Sequence, residues 1–220
     1  MEILWEDEEI IVCVKPAGVL SQAGAAGEVS MITCLAEHTG GTVYPVHRLD
    51  RETGGVMVYA KTQSAAAALS RQIAAREFEK EYLALVHGKA APEGEMRDLL
   101  FRDRTKNKSY VVTRARNGVR EARLTYRLLR EIPGGETPLS LVAVTLYTGR
   151  THQIRVQFAH RQMPLLGDKK YGARDRETGL CLWSYRLCFF HPKTGERLSF
   201  CAAPQNAIKT FLGKDFHGKN

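Results

Sequence analysis

The chain has 220 residues, of which 44% are hydrophobic and 25% charged, an ordinary globular composition that can bury a sizeable core. The net charge of +8 suits a polyanion, with RNA and DNA as the leading candidates, although a basic protein without such a partner has the same balance. No apolar run approaches the roughly 20 residues that a membrane span needs, and the acidic N-terminus lacks the basic start of a signal peptide. We therefore expect a cytoplasmic protein without a membrane segment.

The cysteines argue against a zinc site and against a disulfide framework. Their number is odd, and no pair has the C-x-x-C spacing of common zinc sites. We expect them to be small apolar core residues in a reducing compartment, and we expect no bound metal. The five are Cys13, Cys34, Cys181, Cys188 and Cys201.

The first elements in chain order are a strand and a helix. The apolar run at 10–14 predicts a buried strand, which ends at the polar Lys15 and the turn signal Pro16-Ala17-Gly18. Small and polar residues at 21–28 predict a loop. A short helix is predicted over 31–38, ending at two glycines.

The segment at 47–55 reads HRLDRETGG and places one carboxylate, Asp50, between two arginines. Alternation over 56–61 predicts a strand immediately after it. The two glycines permit a tight turn and a close approach of another backbone or a ligand. Asp50 is therefore expected on a loop held by a strand, a common place for chemistry, although Asp beside Gly is also a common turn residue.

A helix and a strand follow this segment. Four consecutive alanines in 63–76, without Gly or Pro, predict a helix with one apolar stripe. The alternation of 80–88 predicts a strand that contains Tyr82. The pattern alone favours a core aromatic at that position, with its hydroxyl satisfied.

Residues 102–116 are strongly basic and include Lys108. We interpret them as an edge that follows RNA phosphates, with a solvated strand and loop face as the alternative. Strands are predicted over 121–130 and 139–147, joined by a hairpin signal at 132–136. The second is expected to be central because both of its faces are apolar.

A helical pattern begins at Arg150, where Thr151 is a candidate cap. Ile154 and Phe158 can pack on the sheet, and Arg155 lies on a different face. Residues 167–172 predict a supporting loop. The remaining predictions are a strand over 181–190, a hairpin turn at 191–196, a strand over 198–204, and a helix from 205 to about 212 before a polar tail.

Two motifs resemble the signatures of the RluA-type pseudouridine synthases. HRLD at 47–50, with Thr53 and a glycine pair, is similar to the family pattern HRLD-x-x-T-S-G-L, although Gly54 replaces its Ser and Val56 its Leu. GRTHQIRV at 149–156 looks like G-R-[TS]-H-Q-[IL]-R-V-H, with Gln157 in place of the last His. Weaker similarities occur at 8–18, 80–88, 103–112 and 167–172. At 184–185 this chain has Ser-Tyr where the family usually has His-Ala.

The resemblance covers about the whole chain and implies the family's α+β fold. That fold is a mixed, largely antiparallel sheet bisected by an active-site cleft, with flanking helices. The predominance of short turns between strands supports it independently. We expect one catalytic domain over 1–220, without the N-terminal S4-type RNA-binding domain of some relatives, and a monomer.

The resemblance also implies roles for individual residues. Asp50 would be the catalytic residue, Tyr82 would stack on the target uracil, and Arg155 would pair with Asp50. RNA-binding roles are expected for the basic residues Arg48, which would support the vacated base stack, Arg150 and Lys108.

The implied activity is isomerisation of a uridine in rRNA or tRNA to pseudouridine. The N1–C1′ bond breaks and a C5–C1′ bond forms, so no electron carrier is needed and no cofactor is expected. An RNA-binding module without activity is one alternative, and an N-glycosylase or nucleoside hydrolase is another. The single central carboxylate differs from the two carboxylates of most glycosidases.

Overall fold

The computed structural model describes residues 1–24, 28–133 and 137–212. These form two compact units. Unit 1 contains residues 1–80 and 183–204, and unit 2 contains residues 81–182 and 205–212. One catalytic domain over 1–220 therefore stays a prediction.

The described residues form strands and helices that we number in chain order. The strands are β1 (Glu2–Glu6), β2 (Ile10–Lys15), β3 (Tyr44–Pro45), β4 (Gly54–Ala60), β5 (Glu79–His87), β6 (Glu93–Asp103), β7 (Lys108–Val112), β8 (Val119–Ile132), β9 (Leu139–Leu146), β10 (Leu182–Phe190) and β11 (Arg197–Cys201). The helices are α1 (Met31–Thr39), α2 (Gln63–Ala75), α3 (Gln153–His160) and α4 (Ile208–Phe211), with a 3-10 turn at Lys169–Tyr171.

The sheet of unit 1 is built around β4. Strand β2 pairs antiparallel with β4 over its whole length, and β1 pairs antiparallel with β2. Strand β10 meets β4 in parallel at only two positions and then pairs antiparallel with β11. Every residue of β2 and β4 is buried, so these strands form the core of the unit. The strands predicted over 10–14 and 56–61 are confirmed.

The glycine pair serves the close approach of a neighbouring strand. Gly54 and Gly55 lie inside β4, so the expected tight turn at this pair is wrong. A Cβ on Gly55 would collide with the backbone of Ser184, and φ is +124° at this residue. A Cβ on Gly54 would collide with the ring of Trp183. The close backbone approach expected here is confirmed. With larger residues at 54 and 55, β10 could not come this close to β4.

Both helices predicted in unit 1 are confirmed, and each has a side-chain cap at its start. The Ser30 hydroxyl accepts a hydrogen bond from the Thr33 amide before α1, and Thr62 accepts one from the Ala65 amide before α2. Helix α1 ends at Gly40, whose φ of +66° suits glycine.

Unit 2 contains an antiparallel sheet in the order β5-β9-β8-β6-β7. Strand β9 lies between β5 and β8, which confirms the central position predicted for it. The hairpin signal predicted at 132–136 falls on residues 134–136, which lie outside the described residues. Helix α3 packs on one face of the sheet, where the rings of Phe158 and Tyr126 are 5.4 Å apart. The mixed, largely antiparallel sheet architecture is confirmed, whereas the cleft stays a prediction.

The start of α3 differs from the prediction. The capping residue is His152, with a φ of +55° and no side-chain cap, so the Thr151 cap is wrong. The Gln153 amide oxygen instead accepts from the Thr148 hydroxyl and the Arg150 amide, which fixes the preceding turn. The last helix is also shorter than predicted, because α4 spans only Ile208–Phe211. The predicted tail lies outside the described residues.

Candidate active site

Asp50 lies in unit 1, on the loop between β3 and β4, and is half-buried. The Ser21 hydroxyl accepts from the Leu49 amide at 3.0 Å and donates to the Leu49 carbonyl at 2.8 Å. On the other side, the Arg51 carbonyl accepts from the Gly18 amide at 2.8 Å. The backbone on both sides of Asp50 is therefore fixed to residues 18–21, as expected for a carboxylate on a rigid scaffold.

A buried lysine supports the same loop. The Lys15 side chain is fully buried, and its ammonium donates to the carbonyls of Pro16, Val19 and Arg51 at 2.6–3.0 Å. Burial lowers the pKa of Lys15 to about 8, and the negative charge of Asp50 opposes that shift. The sequence prediction missed this residue, because Lys15 stood only as the polar end of a strand.

His47 attaches the start of the loop to β4. Its Nε2 accepts from the Val58 amide at 3.2 Å, so the ring proton resides on Nδ1, a buried atom without a partner among the described residues. Burial lowers the pKa of His47 to about 3, with a further contribution from the positive charge of Lys80. The imidazole is therefore neutral at physiological pH. Arg48, the next residue, is exposed.

Tyr82 and Arg155 both lie in unit 2. Tyr82 is buried in β5, directly opposite Val144 of β9, which is itself opposite Tyr126 of β8. Side chains that are directly opposite lie on the same face of a sheet, so Tyr82 shares the face on which α3 packs. The structure thus brings Tyr82 and the helix of Arg155 to one face of this sheet.

Arg155 is 4% exposed, which excludes an ordinary surface side chain. Its Nε and Nη2 atoms donate to the two carboxylate oxygens of Asp168, each at 2.7 Å. Its guanidinium carbon also lies 5.2 Å from the centre of the Tyr171 ring. Asp168 belongs to the loop predicted as structural support, but the sequence prediction did not pair it with Arg155. A bidentate pair of this kind fixes the plane of the guanidinium.

Tyr171 connects this arginine to the basic strand β7. Its hydroxyl oxygen accepts from the Ser109 amide at 2.8 Å and lies 2.9 Å from His152 Nδ1. The ammonium of Lys108 lies 5.1 Å from the centre of the same ring. The structure therefore brings Lys108 and Arg155 to one tyrosine.

The remaining predicted site residue, Arg150, is exposed, and its Nε donates to the Glu121 carbonyl at 3.0 Å. It lies along β8 in unit 2. The predicted site residues therefore form two groups, Arg48 with Asp50 in unit 1 and the other four in unit 2. The predicted pairing of Arg155 with Asp50 joins the two units and stays a prediction.

The described residues also bear on metal binding and on membrane insertion. No group of three or more His, Cys, Asp or Glu side chains among residues 1–24, 28–133 and 137–212 could hold a metal ion. In the same ranges, no helix has the length and hydropathy to cross a membrane.

Comparisons with known proteins agree with the motifs. The sequence model of a family described as RNA pseudouridylate synthase matches residues 9–160. The chain is 33% identical to the tRNA pseudouridine synthase C of Haemophilus ducreyi, in a match that covers 92% of this chain and 90% of that protein. It is 30% identical to the ribosomal large subunit pseudouridine synthase C of Buchnera aphidicola, with 96% and 69% covered.

A solved structure has the same fold. The human protein RNA Pseudouridylate Synthase Domain Containing 1 superposes with a TM-score of 0.77 at 23% sequence identity. The match covers 91% of this chain and 82% of the human chain.

Proposed function

The chain belongs to the RNA pseudouridylate synthase family, and we propose that it converts one or a few specific uridines of ribosomal or transfer RNA to pseudouridine, with Asp50 as the catalytic residue. The reaction is an isomerisation that breaks the N1–C1′ bond and forms a C5–C1′ bond. The proton that leaves C5 is balanced by the proton that N1 gains, and no electron carrier takes part. One carboxylate beside the sugar is the group that this chemistry needs.

The observation that carries the proposal is the rigid mounting of the Asp50 loop. Ser21 and Gly18 bind the backbone at residues 49 and 51, and the buried ammonium of Lys15 binds the Arg51 carbonyl. A fixed loop holds a catalytic group in reacting geometry at little further entropic cost. Asp50 acts as the anion, either by attack at C1′ or by removal of the C2′ proton.

Arg155 is the proposed partner that binds and orients the Asp50 carboxylate. A guanidinium suits this role better than an ammonium, because its planar fork fixes the orientation of a carboxylate. The bidentate contact with Asp168 supports the role, since it already fixes the plane of the arginine. Tyr82 is the proposed stacking partner of the uracil, and its position on the α3 face supports that role.

The target uridine must leave its stack to reach the half-buried carboxylate of Asp50, at a cost of about a few kcal/mol. Arg48 is the proposed residue that supports the vacated stack, and its exposure supports this role. Arg150 and Lys108 are proposed to contact flanking phosphates, which add salt-dependent affinity. We further propose that the protein acts as a monomer in the cytoplasm, without a cofactor.

The test is pseudouridine mapping on total RNA from cells with and without this protein, complemented with the wild type or with Asp50→Ala. We expect one or a few sites to disappear and to return with the wild type alone. The identity of the sites distinguishes transfer from ribosomal RNA. If no site changes and the purified protein is inert on uridine-containing RNA, the proposed activity is wrong. Release of free uracil would instead indicate an N-glycosylase.

A further inference from the structure

The segment at 102–120 concentrates much of the charge of the protein on one edge of unit 2. It contains seven basic residues and one acidic residue. The segment forms the end of β6, the strand β7 and the connection to β8, and β7 lies at the edge of the sheet. Such an edge has the charge of a surface that binds nucleic-acid phosphates.

An exposed aromatic side chain lies in this basic edge. Tyr110 of β7 is 37% exposed, and the Lys108 ammonium lies 5.8 Å from the centre of its ring. Directly opposite on β6 is Phe101, whose ring has the Arg116 guanidinium 4.8 Å from its centre. We call Lys108, Tyr110 and Arg116 the Tyr110 surface. It combines a flat aromatic face with positive charge, the combination that holds single-stranded nucleic acid.

The Tyr110 surface is attached to the helix that carries Arg155. The Ser109 hydroxyl donates to the Thr151 carbonyl at 2.7 Å, which ties β7 to the start of α3. The Lys108 ammonium lies over the Tyr110 ring and also over the Tyr171 ring. The Arg155 guanidinium packs on the same Tyr171 ring. Because side chains alternate along a strand, Tyr110 points to the sheet face opposite to Ser109 and α3, and the Lys108 ammonium is the group that lies close to both tyrosine rings.

We propose that the Tyr110 surface binds an unpaired nucleotide of the RNA substrate. The base stacks on the Tyr110 ring, and Lys108 and Arg116 neutralise the adjacent phosphates. The occupant is single-stranded, because a base inside a duplex offers no free face to an aromatic ring. This inference rests on the proposed function, since it takes RNA as the substrate, and it adds a requirement for an unpaired nucleotide.

The chain offers a matched control at Tyr147. This tyrosine is 39% exposed, and the Arg123 guanidinium lies 4.4 Å from the centre of its ring. However, Arg123 also binds Glu95 at 2.6 Å, and Glu95 accepts from Arg97 at the same distance. The carboxylate cancels only one of the two arginine charges, which leaves a net charge of +1 beside Tyr147 against +2 at the Tyr110 surface, so we expect Tyr147 to contribute little to RNA binding.

The experiment measures the binding of fluorescein-labelled RNA to the full-length protein by fluorescence anisotropy. The probes are an oligonucleotide of ten uridines and a ten-base-pair RNA duplex. Tyr110→Ala should raise the Kd for the single strand about 10-fold and leave the Kd for the duplex within about twofold. Tyr110→Phe should bind the single strand like the wild type, and so should Tyr147→Ala.

Salt dependence separates stacking from charge. Tyr110→Ala should leave the slope of log Kd against log salt unchanged, whereas Arg116→Gln should reduce it by about 0.7 for a single strand. The inference is overturned if Tyr110→Ala binds ten uridines like the wild type, or if Tyr147→Ala loses as much affinity. It is also overturned if the duplex and the single strand lose affinity equally.

These outcomes are independent of the proposed activity, because binding of the two probes requires no turnover. If Asp50→Ala still complemented the modified site in cells, the proposed catalytic role would fail while the stacking result stood. If instead Asp50→Ala abolished the modification and Tyr110→Ala bound normally, the proposed function would stand and the Tyr110 surface would be rejected.

Discussion

The backbone beside Asp50 is held by hydrogen bonds to residues 18–21, whereas Arg155 is held through its own side chain by Asp168 and Tyr171. The first support binds backbone atoms of residues 49 and 51, so it does not depend on the charge of the Asp50 carboxylate. The second support is a pair of charge-assisted hydrogen bonds in a buried site, so it depends on the negative charge of the Asp168 side chain. Loop geometry and charge are therefore separate requirements, and variants can test them one at a time.

The largest expected effect is the loss of Asp50 itself. Asp50→Asn keeps the shape of the side chain and the loop but removes the charge, so we expect kcat to fall about 10,000-fold with little change in Tm. Glu52→Gln is a matched control, because this exposed carboxylate lies two residues away on the same loop. Single-turnover assays on the mapped RNA make the measurement. If kcat fell equally in both variants, the negative charge of the loop as a whole, rather than the Asp50 carboxylate, would support catalysis.

Removal of Asp168 should show the charge dependence of the second support. Asp168→Ala takes away both hydrogen bonds to a guanidinium that is 4% exposed, and we expect it to lower the free energy of unfolding by about 3–5 kcal/mol. Urea denaturation measures the effect. Asp98→Ala is the control, because Asp98 binds the more exposed Arg161 at 2.8 Å and should cost less. A smaller loss at Asp168 than at Asp98 would contradict the comparison.

The buried Lys15, which also binds the Asp50 loop, should give the stability of the protein a measurable pH dependence. The pKa of Lys15 is about 8 in the folded protein, and an unfolded lysine has a pKa near 10.5. Between these values the unfolded state binds more protons, so the contribution of Lys15 to the free energy of unfolding rises with pH. We expect the wild type to gain up to about 3 kcal/mol over Lys15→Met between pH 8 and pH 10.5. Parallel denaturation curves for the two proteins across this window would show that Lys15 is not desolvated.

Arg155→Lys separates geometry from charge at the second support. The ammonium keeps the charge beside Asp168 but cannot form the bidentate pair, so we expect kcat to fall about 100-fold with KM changed by less than about threefold. The double variant with Asp168→Asn tests coupling, because two residues that act through one contact are not additive. Additive losses would show that Asp168 does not orient the arginine for catalysis.

Much of the fold was predictable because its elements obey local rules. Strand β4 and helix α2 follow the periods of two and 3.6 residues, and the apolar faces of β9 predicted its central place. Strand β1 was missed, since its acidic ends suggest solvent and its strand character comes from pairing with β2. The cap of α3 was wrong because Thr151 fits the local rule, but the Gln153 side chain takes the hydrogen bonds there.

The motifs predicted the candidate site residues better than the residues that support them. The Lys15 ammonium donates to the carbonyls of Val19 and of Arg51, which is 36 positions away. No local sequence pattern therefore shows that Lys15 is buried. Asp168 lies 13 residues after Arg155, outside any helical spacing. Such supports depend on tertiary contacts, and only the structure reveals them.

The smallest expected effect distinguishes the ring of Tyr171 from its hydroxyl. Tyr171→Phe keeps the ring 5.2 Å from the Arg155 guanidinium but leaves the Ser109 amide without its acceptor. An unsatisfied amide of this kind should cost about 1–2 kcal/mol in the free energy of unfolding, while kcat changes by less than about threefold. Tyr147→Phe, at an exposed hydroxyl, should cost less than about 0.5 kcal/mol. If Tyr171→Phe instead lowered kcat as strongly as Arg155→Lys, the hydroxyl network would orient the arginine, and the second support would depend on neutral hydrogen bonds like the first.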